Sequence, residues 1–275
     1  MGLLRLSKAI ICLVSVMLFA CNASRGEGTE RRSSSEHDTV WYEIRTLEST
    51  YGGCDPGDRN CTYFHVEYPV ILKALSEAAR DSVNSFIRRL ISDNSLSEDA
   101  WLIELVHFMK RCVDRSDDDP DNPILRLPCY KHEVVSIVYN TPEVLSIEIS
   151  GSSYTGGAHG SHWTVYANLD PKTSRQIELK NILVDGYQEA LRVIAERKFR
   201  EMYQIGREER LWDAGFHFED DQFSLTDNFS ISKQGLTFFY NEYEIAAYAK
   251  GPTKLTLTYE ELSNLVRKDG PIGRR

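Results

Sequence analysis

Val134-Val135-Ser136-Ile137-Val138-Tyr139 and Val144-Leu145-Ser146-Ile147-Glu148-Ile149 are two runs of β-branched and aromatic residues joined through Asn140-Thr141-Pro142, the pattern of a hairpin. A third run, His162-Trp163-Thr164-Val165-Tyr166-Ala167-Asn168-Leu169, follows a glycine-rich turn at Gly156-Gly157-Ala158-His159-Gly160. Consecutive strands with short connections predict an antiparallel sheet.

Upstream, residues 40–47 and 63–68 read as strands, the second ended by Pro69. Residues 72–91 then carry Leu72, Leu75, Ala79, Val83, Phe86, Ile87 and Leu90 at helical spacing. A second helix with Trp101, Leu102, Leu105, Val106, Phe108 and Met109 on its apolar face ends near Cys112. Downstream come a turn at Asp170-Pro171-Lys172-Thr173, a short strand at 176–179 and a helix over 187–203. Strands at 229–231, 236–240 and 254–258 follow, with a terminal helix at 259–266. The fold class is α+β, with amphipathic helices packed on antiparallel sheets.

The N-terminus carries an address. Arg5 and Lys8 precede an apolar run over 9–19, and Leu18-Phe19-Ala20-Cys21 resembles a bacterial lipobox, which makes Cys21 the expected lipidation site. That run is too short to span a bilayer, which takes about 20 apolar residues. Residues 1–20 are read as a lipoprotein signal peptide, and 21–39, poor in apolar residues, as a flexible tether. The protein is thus expected in the cell envelope, lipid-anchored on the periplasmic or extracellular side. Asn22, in place of the aspartate that resembles an inner-membrane retention signal, points to the outer membrane.

Loss of Arg5 and Lys8 with the signal takes the net charge from −9 to −11. An acidic chain argues against nucleic acid or anionic lipid as partner and favours a basic one. Four cysteines remain in the body, and proximity favours Cys54 with Cys61 and Cys112 with Cys129. Neither pair has the C-x-x-C spacing of a zinc site.

Two further stretches carry a resemblance. They are Ser153-Tyr154-Thr155-Gly156-Gly157-Ala158-His159-Gly160 and Leu236-Thr237-Phe238-Phe239-Tyr240-Asn241-Glu242-Tyr243-Glu244-Ile245-Ala246-Ala247-Tyr248-Ala249-Lys250-Gly251. Together they resemble the extracytoplasmic domain of RsiV-type anti-sigma factors, a module also similar to the non-catalytic N-terminal part of a peptidoglycan deacetylase. The resemblance implies two related α+β parts folded against each other, here 40–168 with both disulfides and 169–275, and a role in recognising lysozyme. The chain departs from the pattern at Ala247, where a proline often precedes the second tyrosine, and shows neither a sigma-binding segment nor a deacetylase domain.

Among residues able to do chemistry, Gly156, Gly157 and Gly160 form a tight turn that brings Tyr154 and His159 to the surface. His159, His162 and His217 lack the helical spacing of a zinc enzyme. Ser152, Ser153 and Ser161 lie in no Gly-x-Ser-x-Gly elbow. Glu242 and Glu244 read as an acidic edge. Tyrosine combines contact area with a polar tip, so Tyr243 is assigned to the surface and Tyr240 to the core. The expected partner-binding set is Tyr154, His159, Tyr243, Glu244 and Tyr248, in a non-enzymatic module without cofactor or metal that takes a protein, such as a lysozyme-like cationic one, or a cell-wall ligand. The rival readings are a peptidoglycan-modifying hydrolase or deacetylase and a structural component of an envelope complex.

Overall fold

The structure, a computed structural model, describes residues 21–25, 39–51, 53–55, 58, 61–91, 98–118 and 127–273. The expected signal peptide and residues 26–38 of the expected tether lie outside the described residues. Six strands form one sheet in the order β1 to β6: Cys21–Arg25, Trp41–Tyr51, Tyr63–Lys73, Tyr130–Asn140, Leu145–Tyr154 and Ser161–Leu169. Phe229–Ile231 (β7), Gly235–Tyr240 (β8) and Thr253–Thr258 (β9) form a second, antiparallel sheet.

The α+β class holds, with one correction to the expected antiparallel pairing. β3 and β4 run parallel, Tyr63 opposite Tyr130 and Glu67 opposite Val134. Parallel neighbours need a long crossover, and the helices Glu77–Ile91 (α1) and Glu98–Asp118 (α2) supply it. A second correction concerns the tether, because Cys21–Arg25 pairs antiparallel with β2, Cys21 opposite Tyr51 and Arg25 opposite Leu47. Backbone pairing at a sheet edge requires no apolar side chains, so composition alone does not reveal it.

β3 also runs through Pro69 to Lys73 instead of stopping there. The β3–β4 ladder ends at Glu67, so Pro69 sits where β3 is paired on one side only, a place that tolerates a missing N–H. Leu72 and Leu75, counted in the stripe of the first helix, are exposed. The helix starts later, after Ser76, whose Oγ accepts the Ala79 N–H at 3.1 Å. The expected terminal helix is instead a run of turns, pinned by buried Leu262 and Leu265 and ended by a bridge between Val266 and Leu183.

Both cysteine pairs are joined, with Cα–Cα distances of 5.5 Å for Cys54–Cys61 and 6.0 Å for Cys112–Cys129. Leu47, Phe64, Val66, Val135, Ile147 and Ile149 bury one face of the large sheet against Val83 and Ile87 of α1 and Trp101, Leu105 and Met109 of α2. A second core surrounds Phe199 on helix Tyr187–Tyr203 (α4), which follows the single turn Leu179–Ile182 (α3). Phe216 and Phe223 lie 4.8 and 5.2 Å from the Phe199 ring. Each such buried side chain contributes roughly 1.5–3 kcal/mol.

Asparagine carboxamides stitch the pieces together. Each offers one donor group and one acceptor, so it can satisfy a backbone edge as another strand would. Asn84 on α1 accepts the Ile71 N–H at 2.8 Å and donates to the Ile71 carbonyl at 3.0 Å. Asn168 on β6 accepts from Ile231 at 3.0 Å and donates to the Phe229 carbonyl at 2.8 Å, which ties the large sheet to the edge of the small one. In return Asn228 accepts the Tyr166 N–H at 2.8 Å and donates to the Thr164 carbonyl at 2.8 Å. Asn241 accepts the Thr164 N–H at 2.6 Å.

Candidate functional site

Side chains alternate across a strand, so burial of Phe64, Val66 and Tyr68 on the helix side sends Tyr63, His65 and Glu67 to the other face. Register then builds rows across the sheet. The first is Thr50, Tyr63, Tyr130 and Tyr154; the second is Glu48, His65, His132, Ser152 and His162; the third is Thr46, Glu67, Val134, Ser150 and Thr164. None of these positions is Lys or Arg.

In the first row the Tyr63 and Tyr130 rings lie 5.8 Å apart and nearly parallel, and Tyr130 and Tyr154 follow at 6.4 Å. Burial, then the neighbouring Tyr130 phenol, raises the Tyr63 pKa. In the second row His65 Nδ1 meets Glu48 Oε2 at 2.8 Å, and the His65 and His132 rings are 4.8 Å apart. Desolvation and then His65 lower the His132 pKa, against the opposing pull of Glu67.

The loop between β5 and β6 closes the tyrosine end of this face. Gly156 and Gly157 take φ of 106° and 104°, which L side chains rarely adopt, and Tyr154 donates its hydroxyl to the Gly157 carbonyl at 2.9 Å. A side chain at Gly160 would meet the Tyr130 hydroxyl at 2.9 Å. His159, delivered by this loop, stacks on Tyr248 at 4.1 Å, and its Nε2 lies 3.0 Å from the Tyr243 hydroxyl. Tyr243 is 62% exposed and sits at φ 68°. Desolvation, followed by Glu242, Tyr243 and Tyr130, raises the Tyr248 pKa.

Of the residues expected to bind a partner, Tyr154, His159, Tyr243 and Tyr248 thus meet around one corner of the sheet face. Glu244 is placed otherwise: its Oε2 accepts the Asn241 N–H at 2.8 Å and braces the turn that carries Tyr243. Tyr240 is buried and donates to the Ser224 carbonyl at 2.7 Å. His217 stacks on Trp212, and its backbone N–H donates to the Ile245 carbonyl at 2.7 Å, so its ring is engaged by Trp212 and not by His159. Among the described residues no group of three or more His, Cys, Asp or Glu is placed to hold a metal ion. The contributions of Tyr63, Tyr130, His65 and His132 were not singled out in the sequence. The signal was there in the alternation Tyr63, His65, Glu67 against Phe64, Val66, Tyr68.

The site spans two family matches. Residues 57–162 match the family model of the deacetylase PdaC, and residues 180–260 match DUF3298, a family of proteins of unknown function. No curated protein matches the chain at a significant level. A DUF3298-family crystal structure from Bacteroides fragilis is similar with a TM-score of 0.69 at 21% identity, over 86% of this chain and 98% of that one. Another, from Pseudomonas aeruginosa PAO1, has a TM-score of 0.61 at 18% identity, over 84% and 96% of the two chains. At these identities the likeness shows the fold.

Proposed function

We propose that this chain is a non-enzymatic binding module of the bacterial cell envelope, anchored through lipid on Cys21, that recognises a basic protein of the lysozyme type. The observation that carries this reading is the contact of His159 with Tyr243 and Tyr248, which extends a row of three in-register tyrosines with two further phenols. Tyrosines supply rigid, amphipathic contact area at low entropic cost, the composition of many protein-recognition surfaces. Glu242 lies beside Tyr248 and Glu48 beside His65, and a net charge of −11, reached from −9 by loss of Arg5 and Lys8 with the signal, steers a basic partner toward the molecule. The resemblance of the Tyr154 and Tyr243 stretches to RsiV-type domains points the same way.

A cell-wall polymer is the second reading, favoured by the match of residues 57–162, which include Tyr63, Tyr130 and Tyr154, to a model named for a deacetylase. Calorimetric titration of the soluble body with lysozyme, and separately with soluble peptidoglycan fragments, tests both. Saturable lysozyme binding that weakens with salt is expected. Binding of fragments alone would move the assignment to the wall polymer, and binding of neither would overturn both. Anchoring is tested apart: Cys21→Ser is expected to release the protein to the soluble fraction, and continued membrane retention overturns the lipid anchor.

A further inference from the structure

On the opposite face of the large sheet, a cavity of about 250 Å³ lies between α2, the end of α1 and strand β4. Ile91, Leu105 and Phe108 make an apolar wall, and Lys131 and Glu133 reach it from the sheet. Trp101 and Glu133 are buried, yet the Trp101 indole Nε1 and the Glu133 Oε2 have no hydrogen-bond partner among the described residues. The other Glu133 oxygen lies 3.2 Å from Lys131 Nζ. Buried polar atoms are nearly always paired, and each left unpaired is costly. Arg111, on an exposed position of α2, adds a cation at the rim.

We infer that this cavity binds a free α-amino acid. Its ammonium group pairs with the open Glu133 oxygen, its carboxylate with Arg111, and its side chain packs against Leu105 and Phe108. Size agrees, because drug-sized ligands occupy clefts of roughly 300–1,000 Å³ and this one is smaller. Charge agrees as well, since Lys131 holds one Glu133 carboxylate oxygen while the second has no hydrogen-bond partner among the described residues. Burial raises the Glu133 carboxyl above its ordinary value, against the pull of Lys131, and a ligand ammonium offsets that desolvation. The site is separate from the tyrosine face, so its failure and that of the proposed function are read independently.

The test is thermal-shift and calorimetric titration of the disulfide-bonded soluble body with a panel of L-amino acids, and with acetate and methylamine as half-ligands. At least one apolar amino acid is expected to bind saturably in the millimolar range or tighter, with each half-ligand far weaker. Glu133→Gln, which keeps the shape and removes the charge, is expected to lower affinity about ten-fold or more, the value of a charged hydrogen bond. Arg111→Gln, at an exposed position where folding is not at stake, is expected to do the same. Absence of saturable binding across the panel overturns the inference. So does acetate binding as well as the amino acids, or affinity unchanged in both variants.

Discussion

The imidazole of His159 stacks on Tyr248 with ring centroids 4.1 Å apart and planes 19° from parallel. The two residues come from different halves of the chain, one on the loop before β6 and one in a short 3-10 turn, Tyr248–Lys250, before β9. The corner they form exists only when both sheets are docked. Any ligand held there therefore favours the docked arrangement by mass action.

Tyr243 separates stability from recognition. Its φ of 68° lies in the left-handed region, which costs a non-glycine residue about 1–2 kcal/mol. Tyr243→Gly is expected to leave the melting temperature at or above that of the parent while binding of a protein ligand weakens by roughly 2 kcal/mol, a hot-spot magnitude. Tyr243→Ala keeps the strain and is expected to lose the same binding without the stability gain. Differential scanning calorimetry and titration of both variants check the pair of outcomes.

Asn168 is the buried knot between the sheets. Its Oδ1 also lies 2.6 Å from Ser146 Oγ, which stands 2.9 Å from the Ile231 carbonyl. Asn168→Ala leaves the Ile231 N–H and the Phe229 carbonyl without this partner, at about 1–3 kcal/mol for each buried group. Chemical denaturation is expected to show a loss of that order, with unfolding of the two sheets beginning to separate into two transitions.

His132 gives the fold a pH dependence of known sign. Its native pKa lies below the ordinary value of 6.5, so the unfolded chain binds more protons between the two. Stability from this residue is complete above 6.5 and is lost as pH falls toward the lower native value. His132→Gln is expected to flatten that part of the stability profile, measured by denaturant midpoints from neutral to mildly acidic pH. An unchanged slope would assign the acid sensitivity to other groups.

The disulfide Cys112–Cys129 closes a stretch of 17 residues. Replacing both cysteines by serine is expected to cost about 3 kcal/mol through the added freedom of the unfolded chain. The Cys54–Cys61 bridge spans 7 and is expected to cost less. Urea unfolding of the two double variants ranks them.

Strands β4 to β6 and helix α4 were legible because their side chains repeat at the period of the element they form. The parallel β3–β4 pair was not, since its register is set by a crossover of two helices and not by anything local to Tyr63 or Tyr130. Asn168, Asn228 and Asn241 were equally silent. An asparagine that satisfies a distant backbone reads in sequence like one in a loop. Tyr243 and Tyr248 could be picked out as tyrosines in a stretch that resembles a recognition module, but His65 and His132 become neighbours only through the sheet.

The Asn228 and Asn241 carboxamides lie along the outer side of β6, the last strand of its sheet, and occupy the Thr164 and Tyr166 groups that a foreign strand would use. An open edge is a template for aggregation by strand addition. Here the protection is supplied by side chains of the second sheet, so undocking that sheet would uncover a sticky edge. The docking seam thus guards solubility, most of all where newly made chains lie close together.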